Sequence, residues 1–310
     1  MQGITESFNW YQEKLLPMLE KEFCDLLPRL AIGIAGRGSE CFGFDDDISR
    51  DHDFSVACTI WMTQEDETEY GFKLSRSYKK LLDQEGISNL ASAASLFGEN
   101  ERQVMTIDEF FRRRIGIPAA PESWQEWLYT PEHALAEAVN GKVFRDELGV
   151  FTKTREKILY GMPEDVRLKK LASRAVMMAQ SGQYNYPRCL DHNEPGAAAM
   201  ALGEFVRNAV SMVFLLNFKF APYYKWMFRA MRQLDNYSTM ADKLEYLLTK
   251  EAPEMEKCKT ISDICFQVTK ALHEQGIISK TDDPYLEPVA LEITSQIRNR
   301  SIRSLHIMEG

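Results

Sequence analysis

The chain has 310 residues, 45% of them hydrophobic and 27% charged, the balance of an ordinary soluble globular protein with length for about two domains. A formal net charge of -9 argues against a grip on long nucleic acid, which needs a basic stripe to neutralise phosphates. The six cysteines form no Cys-x-x-Cys pair and the five histidines lie far apart, so neither a zinc ribbon nor a disulfide framework is expected.

In chain order, Met1 to Glu20 carries acidic residues and no apolar h-region, so it does not read as a signal peptide. Phe8 to Leu27 has helical spacing of apolar residues, with Pro17 expected to kink or split the helix. Leu30 to Ala35 reads as a buried strand running into a turn at Gly36 to Ser39, and Asp51 to Met62 as a second strand. Glu65 to Gln84 returns to helix, and Gln103 to Ile107 is a third strand, after which Asp108 reads as the cap of a helix through Arg114. The basic run Arg112-Arg113-Arg114 fits a solvated helix face. Ser123 to Val139 is helical with a break near Pro131, and Gly141 to Asp146 is one more short strand. Every later periodic segment is helical: Pro163 to Gln180, Ala197 to Phe218, Tyr223 to Leu234, Thr239 to Leu248, Ile261 to Gln275 and Tyr285 to Leu305. The longest apolar run, Ala209 to Leu216, is too short to span a bilayer and sits between Arg207 and Lys219, so a cytoplasmic protein is expected.

The chemistry concentrates between Gly36 and Asp53. A strand entering Gly36-Arg37-Gly38-Ser39 can expose backbone N–H groups with no Cβ to block a phosphate, and the Ser39 hydroxyl adds a donor. Asp51 and Asp53 are two apart, so on a strand they face one side and can hold one or two Mg²⁺ ions against a substrate phosphate. His52 then faces away. A Walker loop is absent because no Gly-Lys-Ser/Thr occurs, and the loop Phe42 to Asp47 breaks the helix that a dinucleotide fingerprint at Gly33-x-x-Gly36-x-Gly38 would need.

A Gly-Ser turn followed after eleven residues by Asp-x-Asp resembles the signature of the nucleotidyltransferase superfamily. The string Gly38-Ser39, Gly43-Phe44-Asp45 and Ser49-Arg50-Asp51-His52-Asp53 further resembles an uncharacterised bacterial family of predicted nucleotidyltransferases, labelled as a domain of unknown function. Gly141 to Asp146, Pro163 to Val166, Tyr223 to Trp226 and Arg298 to Gly310 are similar to that family too, so the resemblance covers nearly the whole chain. It implies the two-domain plan of small-molecule nucleotidyltransferases and supplies no substrate. One departure stands out. Superfamily members place a third carboxylate on a neighbouring strand, and Gln103 to Ile107 has none; Asp108, directly after it, is either that third metal ligand or a helix cap.

In the helical half, Lys225 can reach a triphosphate as a point charge, and Tyr223 or Trp226 can stack on a base or sugar; the alternative is an aromatic stripe packed in the bundle. Glu204, in an otherwise apolar helix, is a candidate general base or a partner of Arg207. Arg188 is a candidate for phosphate or acceptor, or for a surface pair.

The expected fold is α+β: a small mixed-sheet nucleotidyltransferase-type domain over residues 1–155 and an all-helical bundle over 156–310. The expected function is Mg²⁺-dependent transfer of NMP from a nucleoside triphosphate to a hydroxyl or similar group on a small-molecule acceptor, with Gly38 and Ser39 on phosphate and Asp51 and Asp53 on metal. The alternatives are a catalytically silent nucleotide-binding regulator and a toxin-like modifier of tRNA or protein.

Overall fold

The computed structural model describes residues 2–46, 56–87, 103–279 and 284–310. The chain groups into two compact units, Met1–Glu122 with Ala134–Gly161, and Ser123–His133 with Met162–Gly310. The described chain is mostly helical and contains one small four-stranded mixed sheet, an α+β protein.

In the first unit, helix Gln2–Trp10 passes through a π turn, Tyr11–Leu15, into helix Leu16–Glu22. Pro17 does not split the segment in two. Proline cannot donate to the carbonyl four residues back, and the wider π turn immediately upstream absorbs the mismatch, with the Leu16 N–H donating to the Tyr11 carbonyl. The helix ends at Glu22, short of the expected Leu27, because Phe23 leaves helical geometry at φ -143°.

Four strands follow: β1 (Ala31–Ile34), β2 (Thr59–Met62), β3 (Val104–Thr106) and β4 (Lys142–Asp146), in sheet order β3-β2-β1-β4. β1 is antiparallel to β2 and to β4, whereas β2 and β3 are parallel. The parallel pair needs a crossover, and helix Gln64–Gln84 provides it, its N-terminus capped by Thr63 accepting from the Asp66 N–H at 3.2 Å.

Alternation along β2 fills both faces of the sheet. Ile60 and Met62 join Ile32, Leu15, Leu19 and Leu74 in one cluster. Trp61 turns the other way and stacks on Phe151 at 4.0 Å between ring centroids, with Phe110 edge-on at 5.4 Å. In the β1–β4 pairing the register shifts between Ile32 and Gly33, so Phe144 is an extra residue, and it packs against Phe8 and Tyr11. Helix Val150–Tyr160, which periodicity did not mark, begins where the Asp146 carboxylate accepts from the N–H groups of Gly149 (2.9 Å) and Thr152 (2.7 Å).

The second unit is helical among its described residues. Helix Glu164–Met178 packs against Pro195–Leu216 and Leu286–Gln296, with Met240–Thr249 and Glu254–Glu274 adding to the bundle. Pro195–Leu216 extends well beyond its apolar core and is long and apolar enough to cross a membrane by length and composition, but 67% of its most apolar window is buried, as in a central core helix. The expected helix Tyr223 to Leu234 is shorter, a 3₁₀ turn Tyr224–Trp226 leading into Met227–Met231.

Candidate functional site

β1 ends at Ile34, and the chain turns through Gly36 (φ +109°) and Gly38 (φ +117°), a region of backbone space that side chains rarely adopt. Ser39 then opens a helix of four residues, Ser39–Phe42, closed by Gly43 in the left-handed region. The Glu40 side chain is 3% exposed and folds against Gly38, so that a Cβ on Gly38 would meet its Oε2 at 2.5 Å. Ser39 itself is buried.

The turn is shaped from a distant part of the chain. Asn140 Oδ1 accepts from the Gly36 N–H at 2.8 Å, and Asn140 Nδ2 donates to the Gly36 carbonyl at 2.7 Å. Next to it, the Gly141 N–H donates to the Cys41 carbonyl at 2.7 Å. Gly141 (φ +71°) must be glycine on two counts, since a Cβ there would also lie 2.0 Å from the Ile34 carbonyl oxygen. Behind Asn140, the Arg155 guanidinium donates to the carbonyls of Val139 and Asn140, both at 2.7 Å. These carbonyls close helix Glu132–Val139, where unpaired acceptors and the negative end of the helix dipole favour a cation. Burial pushes the Arg155 guanidinium down to about 10, still protonated at neutral pH.

Register decides which residues share this end of the sheet. Gly33 pairs with Thr59, so the turn that follows β1 lies at the end where the chain comes into β2. Asp51 and Asp53 precede β2 and lie outside the described residues. Asp108 is placed elsewhere. β3 is parallel to β2, and Met62 pairs with Thr106, so Asp108 stands at the opposite end of the sheet from the Gly-Ser turn. The three residue steps from Thr59 to Met62 alone span roughly 10 Å. Nor is Asp108 the helix cap: Thr106 takes that role, accepting from the Glu109 N–H at 3.0 Å, and Asp108 is exposed in the first turn of helix Ile107–Ile115. It lines a cleft of about 340 Å³ with Gln64, Glu67, Thr106, Glu109 and Arg112, at the β3 edge. Among the described residues, no three His, Cys, Asp or Glu side chains are placed to hold a metal ion.

Arg188, Glu204, Tyr223 and Lys225 belong to the second unit. Glu204 is paired: Arg207 donates to both of its oxygens (2.9 and 2.7 Å) and Asn208 Nδ2 to Oε1 at 2.9 Å. Burial alone would raise this carboxyl, but the bonds from Arg207 and Asn208 and the charges of Arg207 and Arg174 outweigh it and hold the group below the usual carboxylate range. A carboxylate so stabilised is a weaker proton acceptor. Arg188 is exposed, 5.6 Å over the Tyr184 ring, and Lys225 is exposed, 5.0 Å over the Trp226 ring. Tyr223 meets His133 edge-on at 5.9 Å and Tyr224 at 4.4 Å, and is 42% exposed.

Sequence reasoning missed the polar interior next to His133. Glu132 accepts from Ser211 Oγ (3.0 and 2.9 Å) and pairs with Arg174 at 3.4 Å, and Arg174 also donates to Ser211 Oγ at 2.9 Å. Lys170 is buried beside them, donating to the Leu128 carbonyl at 2.9 Å, and Lys169 donates to the His306 carbonyl at 2.5 Å. Three cations within two turns of helix Glu164–Met178 were the available signal, since a solvated face rarely alternates with so many apolar residues.

A family model described as a domain of unknown function (DUF4037) matches residues 127–227. The matched stretch takes in Asn140, Gly141 to Asp146, Arg155, Pro163 to Val166, Arg174, Glu204 and Tyr223 to Trp226. Gly38 to Asp53 and Arg298 to Gly310 fall outside it. No curated protein and no solved structure matches the chain.

Proposed function

We propose that the chain is an Mg²⁺-dependent nucleotidyltransferase that moves NMP from a nucleoside triphosphate to a hydroxyl or similar group on a small-molecule acceptor. One observation carries the proposal. The Gly36–Ser39 turn, with two glycines at positive φ, leaves β1 at the sheet end where the segment bearing Asp51 and Asp53 comes into β2. A phosphate on the turn amides and a metal on the carboxylates of Asp51 and Asp53 are complementary halves of one phosphoryl-transfer site. The donor set fits the ion, because Asp51 and Asp53 offer hard carboxylate oxygens and substrate phosphates complete a magnesium shell. When bound, the magnesium would offset charge on the transferring phosphate.

In this reading the amides of Gly38 and Ser39 hold phosphate, and Tyr223 and Lys225 are ligand candidates within their own unit. No role is assigned to Asp108, which is at the wrong end of the sheet. That same observation favours a second reading, a nucleotide-binding regulator without turnover, because a third carboxylate is not at hand in Asp108.

Calorimetric titration of the four nucleoside triphosphates with Mg²⁺ tests the proposal on wild type and on the double variant Asp51→Asn/Asp53→Asn. Binding by wild type that the double variant loses by at least about tenfold is expected, since a charge-assisted metal site is removed. Absence of binding to any triphosphate overturns both readings. Metal-independent binding that survives the double substitution leaves the regulator and removes the transferase.

A further inference from the structure

Asn140 and its supporting arginine are absorbed neither by the phosphate turn nor by the metal pair, although they lie in the stretch Asn140 to Asp146. We propose that Asn140, held by Arg155, is the positioning residue of the phosphate turn, an inference that rests on the proposed function. An asparagine carboxamide carries one donor and one acceptor in the geometry of a peptide group. Here it engages both polar groups of one residue, the N–H and the carbonyl of Gly36. It thus continues the β4–β1 pairing past the last strand pair, Ile34 with Lys142, into a turn whose glycines could otherwise adopt many conformations. Gly36 is fixed two residues before Gly38, so the direction in which the Gly38 and Ser39 amides point follows from this clamp. The clamp does not float. Arg155 Nη2 fixes both the Val139 and the Asn140 carbonyl, and the Phe151 ring lies 5.7 Å from the same guanidinium. Asparagine is needed because aspartate could not donate to the Gly36 carbonyl and leucine could do neither. Preorganised donors bind an anion without the cost of ordering a glycine-rich loop on arrival, so loosening the clamp weakens phosphate binding even when the fold survives.

The test uses the full chain and inorganic tripolyphosphate with Mg²⁺ as the probe, so that no base preference enters. Asn140→Ala is expected to weaken binding about tenfold, the loss of the ordering that two partly buried hydrogen bonds supply, at a temperature where the variant is folded. Amide exchange at Gly36 is expected to accelerate in parallel. Arg155→Lys keeps the charge but reaches two carbonyls less well, so a smaller loss of about threefold is expected, and it covers the case in which Asn140→Ala does not fold. A core variant on the sheet face opposite Phe151, Leu74→Val in the cluster of Ile60 and Met62, serves as the control for lost stability and should keep wild-type affinity. Wild-type binding that Asn140→Ala and Arg155→Lys both retain overturns the inference and leaves the proposed function standing. A loss shared equally by Leu74→Val also overturns it, since the effect would then be general loosening. Failure of wild type to bind tripolyphosphate and every Mg²⁺-nucleoside triphosphate removes the function and the inference together.

Discussion

Lys170 carries its ammonium into the second unit, where it is 2% exposed and the Leu128 carbonyl accepts one hydrogen bond at 2.9 Å. Burial depresses its pKa; the nearby Glu132 carboxylate opposes this and the Arg174 guanidinium adds to it. The unfolded chain keeps the ordinary lysine value, about 10.4. Between the folded and unfolded values the unfolded state binds more protons, so this residue makes stability rise with pH across that window. Below the folded value the penalty for burying the charge is present in full. Lys170→Met removes the titration. Urea unfolding at about pH 7 and about pH 9.5 should therefore show the variant gaining less, or losing more, than wild type on going alkaline. Comparing the two proteins is essential, because Tyr186, Cys258 and Cys265, all raised by burial, contribute slopes of the opposite sign that are common to both. Parallel slopes would refute the account. At neutral pH the variant should be no less stable than wild type, since Glu132 retains Arg174 and Ser211 and a buried charge has been replaced by an apolar side chain.

At the scale of elements, one local device appears twice. The π turn Tyr11–Leu15 directly precedes Leu16-Pro17, and the π turn Ala179–Asn185 directly precedes Tyr186-Pro187. In each case proline is the second residue of the next helix, lacks the N–H that the regular ladder requires and excludes the carbonyl four residues back. One wide turn upstream restores continuity without a break. The second π turn also brings its backbone close to the central helix: a Cβ on Gly182 would lie 2.2 Å from the Phe205 ring, which is fully buried. Gly182→Ala forces that ring off its seat and should cost about 1–3 kcal/mol of unfolding free energy. Denaturant titration measures it, and an unchanged midpoint would show that the contact relaxes freely. Pro187→Ala, which removes the cause of the wide turn but not the close packing, should cost less.

For the molecule as a whole, a net charge of -9 weighs against the modification of tRNA or other nucleic acid. Counterion release contributes little to binding when few phosphates can be neutralised. The chain should show no measurable affinity for a single-stranded RNA of about 20 nucleotides at about 0.15 M salt, while Mg²⁺-triphosphate binding persists at that ionic strength. Micromolar RNA binding in gel shift or fluorescence anisotropy would reverse the preference for a small-molecule acceptor. Grouping into units adds a feature that no linear boundary conveys. Ser123–His133 belongs with Met162–Gly310, whereas Ala134–Gly161 belongs with the sheet, so the chain passes between units three times. The DUF4037 match, residues 127–227, starts and ends within the second unit and includes the stretch Ala134–Gly161 of the first.

What could be determined from the sequence was local. Helix identities followed from a periodicity of 3.6 residues, strands from short apolar or β-branched runs, and the Gly36–Ser39 turn from glycines that only a special backbone would require. The sites of both π turns were marked by prolines, though their outcome, a widened and continuous helix, was not. Helix Val150–Tyr160 escaped because its stripe is interrupted by charge, Arg155 among it, whose guanidinium serves an adjacent loop instead of solvent. The tertiary structure alone decided two matters. Asp108 follows the third strand closely enough to pass for a ligand, but the parallel pairing of β3 with β2 carries it to the far end of the sheet. Asn140 reaches Gly36 across 104 residues, and side-chain pairing at that separation leaves no periodic trace, because it depends on where two strands end and not on the pattern within either.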